Sequence, residues 1–155
     1  MNSAQDTVEV LNDWPQPESG APEPNIVATE GSLSLRYNTA DRKVALVEFA
    51  ACDQFTFGHP NDEALYGHAL HKRGLRHYTV HRIQNSSRIA ALERANACHP
   101  QHNSAFYLSG KEHYVFTFHD STLECVVTTT GRGKPRVQLF ANAAEAAAAL
   151  NQNAA

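Results

Sequence analysis

The run His113 to Val127, HYVFTFHDSTLECVV, constrains the fold more than any other stretch of this chain. Two alternating apolar and polar segments flank Asp120 and Ser121, both common turn formers, and together they predict a β-hairpin. With Asp120 and Ser121 as the turn, Phe118 faces Leu123, Phe116 faces Cys125 and Tyr114 faces Val127. That face is apolar and has to be buried. The opposite face carries His119 across from Thr122, Thr117 from Glu124, Val115 from Val126, and His113 from Thr128. Two imidazoles and a carboxylate therefore share one surface.

A core of this kind needs enough chain around it. With 155 residues, 42% hydrophobic and 19% charged, the sequence suits one globular domain and is too short for two ordinary ones. The pattern elsewhere predicts an α+β fold, a largely antiparallel sheet with two or three helices packed against it. Leu33–Tyr37 and Val44–Phe49 read as a hairpin, Gln54–Phe57 as a short strand, Arg76–Ile83 as a strand and Val137–Phe140 as another. A helix is predicted after the caps offered by Asn85, Ser86 and Ser87, with Ile89, Leu92, Ala95 and Cys98 as its apolar stripe. An alanine-rich helix follows Asn142. In GHPNDEALYGHALHKRGL, Gly58 to Leu75, Asn61 reads as an N-cap and Gly74 as a C-cap of a further helix, which Gly67 weakens.

Residues 1–25 hold Pro15, Pro17, Pro22 and Pro24 among polar residues, a composition expected to form a flexible arm whose deletion leaves stability nearly unchanged. Trp14 within it is either a chance exposed aromatic or a docking anchor. The folded domain is then expected over residues 26–152, with 153–155 frayed.

Charge and cysteine usage narrow the partners. A formal charge of −3 gives no field for nucleic acid, and the basic cluster Arg132, Lys134 and Arg136 lacks interleaved aromatics. The N-terminus has neither the basic residues nor the apolar run of a secretory signal, and no segment reads as a membrane span. Cys52, Cys98 and Cys125 form no CxxC pair, which points to a reducing, cytoplasmic setting and to cysteines that act as small hydrophobes.

Nine histidines are the compositional anomaly, and spacing sorts them. His68 and His71 share one face of a helix, as a metal pair or as plain polar surface; His99 and His102 form an incomplete site. His77 and His81 on one strand stand about 13 Å apart, and His113 and His119 about 20 Å, too far to hold one ion directly. His119 and Glu124 remain as diagonal neighbours on the hairpin's polar face. A carboxylate on one imidazole nitrogen raises the basicity of the other, so this dyad is the candidate catalytic pair. Thr117, His113, His81 and His77 are candidate ligand-binding residues around it. A divalent metal, zinc or iron, would take His119, Glu124 and His81. No GxSxG, Walker A, GxGxxG or HExxH motif is present.

Two functions are consistent with this pattern. One is a His/Glu-lined sheet face that binds a small polar ligand or a divalent metal, with acid–base chemistry as an extension. The other is a non-enzymatic protein that works through a protein-binding surface, as inhibitors, immunity proteins and accessory subunits do. The same histidines would also make the surface pH-responsive.

Overall fold

The hairpin predicted from residues 113–127 is present and forms the centre of the molecule. The computed structural model describes residues 5–20 and 22–153. Strands β1 (Thr7–Val10), β2 (Asn25–Thr29), β3 (Ser32–Asn38), β4 (Val44–Phe49) and β5 (Cys52–Gly58) are followed by β6 (Val80–Gln84), β7 (Lys111–Thr117), β8 (Thr122–Thr128) and β9 (Arg136–Phe140). The helices are α1 (Ser87–Asn96), α2 (Ser104–Leu108) and α3 (Ala143–Asn153).

The chain is α+β, as predicted, but its strands divide between two antiparallel sheets instead of one. One sheet has the order β1-β6-β7-β8-β5 and the other β2-β3-β4-β9. Their facing surfaces enclose the main core, in which Leu33, Leu35, Tyr37, Val47 and Phe49 meet Tyr114, Phe116, Leu123, Cys125 and Val127. Phe118 joins the same core beyond the end of β7. α3 covers the outer side of β4 and β9, and α1 lies against β7.

Three expectations need correction. The first is hairpin register: Phe116 pairs with Leu123, Tyr114 with Cys125 and Val115 with Glu124, a slip of two residues from the expected pairing. Asp-Ser does not have the positive-φ preference of a two-residue hairpin turn. The loop instead spans 118–121 and closes with the Phe118 N–H bonded to the Ser121 carbonyl at 2.9 Å. A slip of two leaves every residue on its expected face, so the core was placed correctly and the cross-strand partners were not.

The second concerns residues 1–25. Thr7–Val10 is a strand paired with β6, Leu11 is buried, and Trp14 stacks on Tyr114 with ring centroids 5.2 Å apart. The prolines make this possible without a ladder: Pro15 offers its carbonyl to the Tyr37 hydroxyl at 2.6 Å, while the Gln16 side chain ties Leu11, Trp14 and Val80 together. The flexible-arm reading therefore fails over residues 7–20. The expected fraying lies outside the described residues, apart from the backbone of Asn153.

The third is the segment after β5. Residues 59–79 contain no α-helix, only 3-10 turns at Leu65–Gly67 and His71–Arg73. Leu65, Leu70 and Leu75 recur every five residues, a spacing that keeps no helical face, and all three bury against Ile83, Val115 and Val8. Asn61 caps a turn, accepting from the Ala64 N–H at 3.0 Å. The excursion thus lies over the outer face of the five-stranded sheet, where the polar side chains of the hairpin point.

Candidate functional site

Glu124 is the hub of that outer face. It sits on β8 between Val115 of β7 and Thr56 of β5, with only 12% of its side chain exposed. His113, diagonal to it on β7, brings Nε2 to 3.0 Å from Oε1. From the excursion, His68 brings Nε2 to 2.8 Å from Oε2. Burial alone would raise the Glu124 pKa, but the hydrogen bonds from His113 and His68 and the nearby charge of Arg88 outweigh it. The carboxyl is held far below the usual range and stays ionised.

The far nitrogens of both imidazoles define their tautomers. The Leu70 N–H donates to His68 Nδ1 at 3.0 Å, so the His68 proton is on Nε2, facing Glu124. The ionised Glu124 only accepts, so Nε2–H of His113 faces it, and in that neutral tautomer Nδ1 accepts from the Ser86 hydroxyl at 2.7 Å while Ser86 Oγ accepts from the Ile89 N–H at 3.2 Å. Both imidazoles are dedicated donors. Neither presents a lone pair to solvent, and His68 cannot offer Nε2 to a metal while Nδ1 accepts from the backbone. Among the described residues no group of three or more His, Cys, Asp or Glu is placed to hold a metal ion.

The predicted site residues are dispersed accordingly. His119 does not reach Glu124, because the register slip places it in the loop. Its Nδ1 lies 2.9 Å from Asp62 Oδ2, off the line of a good hydrogen bond, and its side chain is 43% exposed. Asp62 also accepts from the Tyr78 hydroxyl at 2.5 Å. That bond, together with the nearby His119, lowers the Asp62 pKa against a smaller opposing effect of desolvation, while Tyr78 is shifted up by the same contact. His119 therefore stands beside a carboxylate, but that carboxylate is Asp62, and no hydrogen bond orients the ring on it.

His81 is fully buried. Its Nδ1 donates to the Val115 carbonyl at 3.0 Å and its Nε2 accepts from the Arg76 N–H at 3.0 Å. Burial pushes its pKa down to about 4, and it is a neutral structural residue, unavailable as a ligand. His77 lies outside β6, and its Nε2 donates to the Asp62 carbonyl at 2.9 Å. Thr117 is buried, donating to the Arg76 carbonyl at 2.7 Å and accepting from the Thr79 N–H at 2.9 Å. Of the predicted set, only His113 and Glu124 come together.

Beside them opens a cleft of about 350 Å³ lined by His68, Arg73, Ser87, Arg88, His113 and Glu124, with Asp6 at its rim. Arg88, from the first turn of α1, reaches over Glu124 at 3.6 Å and Thr56 Oγ1 at 3.4 Å. Arg73 donates to the Gln5 side chain, and Asp6 accepts from the Ser87 N–H at 2.6 Å. Spacing pairs His68 with His71 instead of with Glu124, and it does not bring Asp62, Arg73 or Arg88 into the candidate set. The signal for two of them was the histidine and aspartate within a leucine-punctuated loop, which resembled the ends of a helix. No protein-family model, curated protein or solved structure matches this chain, so its functional reading rests on this geometry.

Proposed function

We propose that this protein binds a small polar ligand bearing a carboxylate or phosphate in the cleft between the 59–79 excursion, α1 and the β7–β8 hairpin. The observation that carries the reading is the state of Arg88. Its side chain is only 28% exposed, yet it makes one long hydrogen bond and one loose ion pair. Glu124 does not complete its donor fork, because its oxygens are drawn to His113 and His68 and Oε2 stays 3.6 Å from the guanidinium. A planar donor fork with open positions suits a bidentate oxyanion. Arg73 supplies a second cation across the cleft, and Asp6 and Glu124 keep the local charge balanced, which favours a ligand that also carries donor groups. The metal reading is set aside, since the donor set around Glu124 is committed to hydrogen bonds.

The test is a thermal-shift and calorimetric screen of small carboxylates, amino acids and phosphate esters against the wild type and Arg88→Ala. Stabilisation of the wild type that falls at least tenfold in affinity in Arg88→Ala supports the proposal. Ligands that bind both forms equally, or no binder at millimolar concentration, would end it.

A protein-binding reading draws on a different observation. β5 is an edge of its sheet, and Phe55 and Phe57 on it are 39% and 43% exposed. An unpaired strand edge with apolar side chains is suited to strand addition by a partner segment.

A further inference from the structure

A cavity larger than the Glu124 cleft lies elsewhere, at the opposite end of the β7–β8 hairpin. It has a volume of about 470 Å³ and lies between the α1–α2 junction and the start of β7. Three features define its chemistry, and none involves the Glu124 cleft.

Its charges are already paired. Lys111 Nζ lies 2.7 Å from Asp53, 2.8 Å from Thr128 Oγ1 and 4.5 Å from the centre of the Tyr107 ring. His102 is held between Glu93 at 2.9 Å and Asn96 at 2.9 Å. His99, also in the lining, accepts from the Gln101 N–H on Nδ1 at 3.1 Å and, among the described residues, keeps Nε2 open as a further donor, so the Lys111 and His102 charges are committed within the protein.

Its neutral polar groups, by contrast, have open capacity. Among the described residues, no protein hydrogen bond engages the side chains of Gln101, Ser109 or Thr130, or the Tyr107 hydroxyl, and Asn103 uses only its oxygen, on the Phe106 N–H at 2.9 Å. These groups converge because Gly110, at φ +70°, lets the chain pass against Thr130, where a Cβ would meet the Thr130 methyl at 2.4 Å.

An aromatic face stands free at the rim. Phe106 is 83% exposed, unusual for a phenylalanine and unexplained by packing. One face of the neighbouring Tyr107 is taken by Lys111, so a ligand finds a single free platform and not a clamp of two rings.

From these features we infer that this cavity is a second binding site, for a neutral pyranose sugar that stacks its apolar C–H face on Phe106 and offers its hydroxyl rim to Gln101, Asn103, Ser109 and Thr130. A pyranose matches all three features: it is uncharged, it has one apolar face, and its hydroxyls both donate and accept, as the amide and hydroxyl groups require. A nucleobase also stacks, but its flat edge meets few of these groups at once.

The test is saturation-transfer NMR on the full-length protein with methyl glycosides of glucose, galactose, mannose and N-acetylglucosamine, and with adenosine and uridine as counter-probes. At least one glycoside is expected to show transfer strongest on the protons of one ring face. Phe106→Ala is expected to weaken that binding about tenfold and Gln101→Ala to weaken it less, with unchanged melting temperature, since both residues are exposed. Arg88→Ala should leave glycoside binding intact. The inference is overturned if no glycoside binds at millimolar concentration, if only the nucleosides bind, or if binding survives Phe106→Ala.

Discussion

Acid is the condition under which individual residues of this protein come under strain, because two buried groups oppose protonation of the native state. His81 is neutral in the fold with its pKa pushed down to about 4, whereas in the unfolded chain it titrates near 6.5. Between those values the unfolded chain takes up a proton that the native protein refuses. Stability is therefore complete above about pH 6.5 and is lost as pH falls toward 4, by about 3 kcal/mol for this residue alone. Glu124, also shifted down, acts in a lower window: its contribution is intact above the ordinary carboxylate range and declines as pH drops below about 4.3. Urea denaturation at pH 7, 5.5 and 4 separates them. His81→Gln, which keeps a donor and an acceptor, is expected to flatten the slope between pH 6.5 and 4, while Glu124→Gln is expected to leave that slope in place and to lower stability at every pH by facing an amide N–H toward an imidazole donor. An unchanged slope in His81→Gln would show that another group sets the acid response.

Among the elements, the N-terminal segment departs most from its composition. Proline, serine and glycine there suggested disorder, yet THR-VAL-GLU-VAL alternation at Thr7–Val10 suffices for an edge strand on β6, and the single tryptophan closes one side of the core against Tyr114 and Phe116. Trp14→Ala is expected to cost about 2 to 3 kcal/mol, at or below the bottom of the range for a fully packed aromatic, because Trp14 is only half-buried. Tyrosine near-ultraviolet circular dichroism and denaturant midpoints would check it; a change under about 0.5 kcal/mol would mean the segment rests on the surface. What could be read in advance followed from local periodicity. The hairpin faces and the β3–β4 pair carry two-residue patterns, and α1 and α3 follow their Ser86 and Asn142 caps, although the stripe expected on α1 is not buried and Ala95 and Cys98 are exposed. The site was less legible, because Glu124 finds His68 across 56 residues of sequence and His119 finds Asp62 across 57. Such pairs depend on how a non-repetitive loop is laid over a sheet, and on a hairpin register that alternation leaves open by steps of two.

At the scale of the molecule, the two sheets give each surface a separate character. The five-stranded sheet carries the excursion, the Glu124 cleft and the α1–α2 cavity on its outer side, and its β5 edge is open. If that edge receives a partner strand, Phe57→Lys places a charge on it and should abolish association while changing stability by no more than about 0.5 kcal/mol. Light scattering after size exclusion, with a pull-down using each form, reads this directly: partners or oligomers equally retained by the variant would rule out the β5 edge.

The 59–79 excursion meets the sheet through two carboxylate–imidazole contacts that run in opposite senses. The sheet gives the acid and the loop the imidazole at Glu124 and His68; the loop gives the acid and the hairpin the imidazole at Asp62 and His119. A loop held only by leucines against an apolar strip could settle at more than one offset. Here, exchanging the two contacts would set carboxylate against carboxylate and imidazole against imidazole, so the crossed polarity works as a key that admits the loop in one orientation and keeps the cleft beside it at a constant shape.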